Sequence, residues 1–210
     1  MAIIESESYI YLNYFSALDS DLRLISRYIE FTEENFNTYS IELAHLLLSS
    51  SSEIDVILKE LCKLLNPEKY KNIKIKKESK KQNININDCR KIIKDELPEF
   101  CTELVYLTRF SLKLNPWKNW ASSNKNPNWW QEYNLVKHER TNNFNKANLK
   151  NVLNSLAALL VTLIYYYKYK FNYKKLGDVT YKLNLCNSDN FLMKLHPDCY
   201  SATLLSSSER

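Results

Sequence analysis

The sequence predicts an all-α (mainly) fold: a helical bundle of four to five helices with a small β or irregular C-terminal appendage. Three observations carry this. Apolar residues recur at three- and four-residue steps through several long segments, the period of a helix with one buried face. The 210 residues include a single glycine, Gly177, whereas a β-rich fold with many tight turns draws on glycine for positive φ. Strict apolar alternation is confined to short stretches near residues 103–114 and 179–185.

Residues 8–30 read as the first helix, with Tyr11, Tyr14, Phe15, Leu18, Leu22, Ile25 and Ile29 on one face. Residues 32–37 are polar and form a turn. A long helix spans about 38–65, its stripe running from Leu43 through Leu47, Ile54 and Leu58 to Leu65. A serine run, Ser49 to Ser52, lies inside it, and such small side chains admit a closely packed neighbour. Asn66-Pro67 ends it, because a residue before proline avoids the helical region. Residues 69–81 are lysine-rich, with few apolar positions, and read as an exposed connector.

Asn87 or Asp88 caps a short helix to Glu96, stopped by Pro98. Residues 103–114 form a short strand or an extended crossing segment. A loop follows, and Pro127 suits the first turn of a helix to Arg140, broken at Asn142 or Asn143. The last long helix covers 144–171. Beyond Gly177, residues 179–185 alternate like a strand and 191–195 pair with them as a hairpin. The expected organisation is a bundle domain over 1–175, with 176–210 a C-terminal hairpin and tail packed on it.

Composition removes several functions. With one glycine there is no Gly-rich phosphate loop, dinucleotide fingerprint or nucleophile elbow. A net charge of +5 is mildly basic and does not by itself name nucleic acid as the partner. Five scattered cysteines (Cys62, Cys89, Cys101, Cys186, Cys199) show no metal-ligand spacing and read as reduced thiols in a cytoplasmic protein. No metal and no cofactor is expected. The apolar tract 152–167 is shorter than the roughly 20 residues of a membrane span, so it reads as a buried core helix and no membrane partner is expected.

The chemistry concentrates in Trp129 to Arg140. Trp130, Asn134 and His138 lie one turn apart on one helical row, and Lys137 and Arg140 form an adjacent cationic row. Imidazole, with an unperturbed pKa of about 6.5, suits proton transfer to and from a ribose hydroxyl. An amide can orient it, and cations can stabilise a phosphorane. The same pattern also describes a solvated helix face. Glu53 and Asp55, in the middle of the second helix, are candidate acidic orienters of that imidazole, or members of an ordinary exposed face with Lys59.

Two further basic stretches stand out: nine lysines between Lys59 and Lys81, and the tyrosine–lysine alternation of 165–175. Each can hold phosphates or stack bases, or be a solvated face. Trp117, Trp120, Trp129 and Trp130 form either a clamp under the motif helix or a platform beside His138.

The run Tyr133-Asn134-Leu135-Val136-Lys137-His138-Glu139-Arg140, followed by a long apolar helix, resembles the HEPN superfamily. The segments Asp19-Ser20-Asp21-Leu22 and Ser52-Glu53-Ile54-Asp55 resemble an uncharacterised bacterial HEPN-like group, so the likeness extends over residues 8–172. That family's motif is Arg, a polar residue that is often Asn, a short spacer, and His. Asn134 and His138 match it; Tyr133 stands where the Arg belongs, and Arg140 lies on another azimuth.

The resemblance implies a small helical bundle, often a homodimer, from a toxin–antitoxin, defence or stress setting. Its active members are metal-independent endoribonucleases. It assigns His138 as base or acid, Asn134 as orienter and Arg140 as phosphate contact, with Lys137, Tyr133 and Trp130 binding substrate. RNA and a cognate antitoxin or other protein are the implied partners. The missing Arg supports a rival reading, a catalytically silent interaction or dimerisation module. A third reading is a small-ligand or nucleotide-binding helical domain.

Overall fold

The computed structural model describes residues 9–123, 125–172, 175 and 191–195. Its central element is α7 (Leu149–Lys170), in which every residue from Ser155 to Tyr167 is buried. A helix apolar on all sides has to be enclosed, and each buried Leu, Val or Ile there contributes about 1.5–3 kcal/mol relative to exposure. Among the described residues α7 alone is long and apolar enough to cross a membrane, and 89% of that apolar window is buried inside the protein. The enclosure comes from α1 (Ile10–Ile25), α2 (Ile41–Leu65) and α6 (Asn128–Asn143), all packed on α7.

The α2–α7 contact is the most extensive in the fold. The serine run explains its closeness: Ser50 and Ser155 are fully buried, and their hydroxyls meet at 2.8 Å. Each also hydrogen-bonds within its own helix, Ser50 to the Leu46 carbonyl and Ser155 to that of Val152, whereas the buried Ser51 hydroxyl beside them has no partner among the described residues. Ser40 caps α2 by accepting from the Leu43 N–H, and Asn148 caps α7 by accepting from that of Asn151. The two starts are held together where the Leu149 N–H donates to the Thr38 carbonyl at 2.9 Å.

Seven α-helices occur among the described residues, against the four or five main helices expected. Most of the difference is short elements. The lysine-rich stretch is one of them: α3 (Pro67–Glu78) is a helix with no buried residue, not a connector. Asn66 ends α2 and caps α3 by accepting from the Lys69 N–H, with Pro67 in the first turn. Good helix formers then sustain α3 with only Tyr70 and Ile73 partly buried against the core. α4 (Ile86–Glu96) is capped by Asn85, two residues or more before the expected position, in a reciprocal box with Asp88. α5 (Lys118–Ser122) is a single short turn bearing Trp120.

Residues 103–114 hold two strands, β1 (Val105–Leu107) and β2 (Leu112–Leu114), joined through a turn in which Ser111 has φ 55°. β3 (Lys194–Leu195) pairs antiparallel with Val105 and Tyr106, giving the order β2-β1-β3. The partner expected for this segment, 179–185, lies outside the described residues, as does the tail 201–210. Residues 191–195 are anchored on α1: Phe191 meets Phe15 at 5.0 Å between ring centroids, and Asp19 accepts from the Leu192 N–H.

Candidate functional site

α6 begins at an extended Pro127 and lays Trp129, Trp130, Tyr133 and Val136 into the core. That spacing is a helical face. Trp117, Trp120, Trp129, Trp130 and Tyr133 form a chain of ring contacts between 4.3 and 5.7 Å. The Trp129 indole donates to the Pro116 carbonyl at 2.9 Å and that of Trp117 to Ala158 at 3.4 Å. These tryptophans are buried, so they clamp α6 to the bundle and present no stacking platform. Trp130 and Tyr133, assigned to substrate binding by the resemblance, are 7% and 4% exposed.

The row Trp130–Asn134–His138 therefore climbs out of the core: buried, half-buried, exposed. The Asn134 amide donates to the Trp130 carbonyl one turn back, at 2.8 Å, so it is committed to its own helix. His138 makes no hydrogen bond or ion pair among the described residues. Lys137 is exposed and its ammonium lies over the Tyr133 ring, 5.5 Å from the centroid. Glu139 interrupts the helix with φ −138° and ψ 53°, so Arg140 follows a kink after His138. The exposed end of α6 thus gathers Lys137, His138 and Arg140.

The acidic candidates face elsewhere. Asp55 pairs with Lys59 on its own helix. Burial holds the Glu53 carboxyl above its ordinary range, and its charge acts on Tyr11 of α1. No hydrogen bond or ion pair among the described residues joins either to His138. His45 sits 3.7 Å from Glu42 on the exposed side of α2, and His196 is outside the described residues. No group of three or more His, Cys, Asp or Glu among the described residues can hold a metal ion.

The other basic stretches divide. On α7, Tyr165, Tyr166 and Tyr167 are buried, and Lys168 and Lys170 lie over neighbouring rings at 5.4 to 5.7 Å. Those lysines cover aromatics at a helix C-terminus, where the dipole favours cations. On α3, Lys69, Lys74 and Lys77 pair with Asp95, Glu78 and Asp88.

A cavity of about 480 Å³ was not foreseen from the sequence. It lies between residues 33–37, the 113–119 segment and the N-terminal ends of α6 and α7. Its lining comes from four separate stretches, which no local pattern brings together.

No family model, curated protein or solved structure matches the chain. Fold and site together define a mainly α-helical protein with an exposed cationic helix end.

Proposed function

We propose that this chain is a HEPN-like helical module that binds RNA through the exposed end of α6 and does not cleave it. The observation that carries this is the use made of the two residues around the motif start. Tyr133 is buried in the aromatic clamp, and the Asn134 amide is spent on the Trp130 carbonyl. What faces outward is Lys137, His138 and Arg140, a set suited to phosphate contact but without an orienter for the imidazole. The resemblance adds the biological setting: a toxin–antitoxin, defence or stress system, with a homodimer and a protein partner.

The test is RNA binding by fluorescence anisotropy across a salt series, with cleavage followed in parallel in EDTA. Binding that weakens steeply with salt, and weakens across sequences in the Lys137→Ala/Arg140→Ala variant, is the expected result. The rival reading is a metal-independent endoribonuclease, and the free exposure of His138 favours it. That reading takes over if the wild type cleaves in EDTA and His138→Ala does not.

A further inference from the structure

The cavity beside the start of α6 is unlike the rest of the surface. Lys113, Lys118 and Lys150 line it against one acid, Glu33. None of the three lysines is in an ion pair among the described residues, whereas six other lysines are, and the Lys113 ammonium lies 5.6 Å from the Tyr106 ring centroid. Six asparagines share the lining; the amide nitrogens of Asn119, Asn151 and Asn154 already donate to Asn128, Lys146 and Lys150, which leaves their side-chain oxygens as acceptors. Another, Asn115, has a fully buried side-chain oxygen with no hydrogen-bond partner. That oxygen is closed off from the cavity, so it is the other lining groups that are offered to a ligand.

We infer that this cavity is a binding site for a phosphorylated, hydroxyl-rich small molecule of the sugar-phosphate class. Its volume of about 480 Å³ lies within the span usual for small-molecule sites. The lysines set the charge of the ligand: three cations to one carboxylate attract an anion, and lysine is a common phosphate partner. The positive end of the α6 dipole, at Asn128 and Trp129, adds to that field. The asparagines set its remaining chemistry, because their amide oxygens accept from the hydroxyls of a polyol. A stacked base is not part of the inference: of the two lining aromatics, Trp129 is 3% exposed and Phe36 is half-buried.

The site is distinct from the cationic end of α6. His138 lies ten residues beyond Asn128, roughly 15 Å along the helix at 1.5 Å per residue. The inference therefore stands apart from the RNA reading, and either can fail alone.

The experiment is calorimetric titration of the full chain with ribose 5-phosphate, AMP, inorganic phosphate and unphosphorylated ribose. The titration is repeated on Lys113→Ala/Lys150→Ala. Both side chains are solvent-facing, and far-UV melting checks that the variant is folded. Saturable binding of ribose 5-phosphate, absent for ribose and weakened about tenfold or more in the variant, is the expected result. AMP binding no better than ribose 5-phosphate fits a site without base stacking. The inference is overturned if no phosphorylated probe binds in the millimolar range, if ribose binds as well as its phosphate, or if the variant binds unchanged.

Discussion

Asp19 accepts the backbone N–H of Leu192 on both carboxylate oxygens, at 3.1 and 3.3 Å, and so fastens residues 191–195 to α1. The carboxylate is 4% exposed, and Arg23 reaches it at 3.3 Å from a half-exposed position. Burial outweighs both contacts and pushes its pKa from 3.8 up to about 6. The folded state therefore holds this proton more tightly than the unfolded chain. Its contribution to stability is complete below pH 3.8 and is lost as pH rises through about 6. A difference of that size corresponds to about 3 kcal/mol. Asp19→Asn keeps an acceptor for Leu192 and removes the titration. Urea unfolding at several pH values between 4 and 7.5 should show the variant gaining on the wild type as pH rises. A constant difference would disprove the assignment.

Ser50 and Ser155 set how closely α2 and α7 approach. Ser155→Ala leaves Ser50 its bond to the Leu46 carbonyl and should cost about 1 kcal/mol. Ser155→Leu adds volume where both side chains are fully buried and should cost about 1–3 kcal/mol, the larger loss of the two. Denaturant midpoints of the two variants give the order directly. Equal losses would mean that the hydroxyl contact, not the space, matters.

α3 is held at its ends and rests on the core only through the partly buried Tyr70 and Ile73. It buries no residue, and at 12 residues it is short of the length at which an isolated helix holds in water. Its amides should exchange far faster than those of α2 and α7, which marks a low-stability local unit. Asn66→Ala removes its cap and a 2.7 Å bond to Glu96, and should speed α3 exchange while leaving α7 protection unchanged. Hydrogen exchange by mass spectrometry resolves the two helices.

The same contrast explains what could be read from the sequence. Leu43 to Leu61 carry helix-period burial, and 155–167 are an unbroken buried run too long for a strand, so α2 and α7 each declare themselves within a single window. The serine run, too, announced a close neighbour, although not that Ser155 would meet it. α3 was hidden because its inward face carries only Tyr70 and Ile73 among many lysines, too few apolar residues to mark a period. The β1–β3 pairing joins Val105 to Leu195, a contact between distant segments that no local pattern encodes. At the candidate site, the helical row from Trp130 to His138 was legible, but its depth gradient was not. Spacing gives the face a residue shares, and only packing says that Tyr133 is inside and His138 outside.

That depth gradient bears on Tyr133, which stands where the resembling family has Arg. Were the missing Arg the sole obstacle to cleavage, Tyr133→Arg would restore activity. The packing argues otherwise. Tyr133 is 4% exposed, 5.2 Å from Trp130 between ring centroids, with Lys137 already above its ring. The neighbouring acid, Glu132, is already paired with Lys146 at 3.4 Å, so an Arg here would be a buried charge beside an existing cation. Leaving such a charge uncompensated costs on the order of 3–5 kcal/mol. Tyr133→Phe keeps the ring contacts and should be close to neutral. The Arg variant should melt well below wild type and gain no RNA cleavage in EDTA, whereas Tyr133→Phe should melt near it. A folded Arg variant that cleaves RNA, and loses that activity when combined with His138→Ala, would show that position 133 can face a substrate and would reverse the non-cleaving reading.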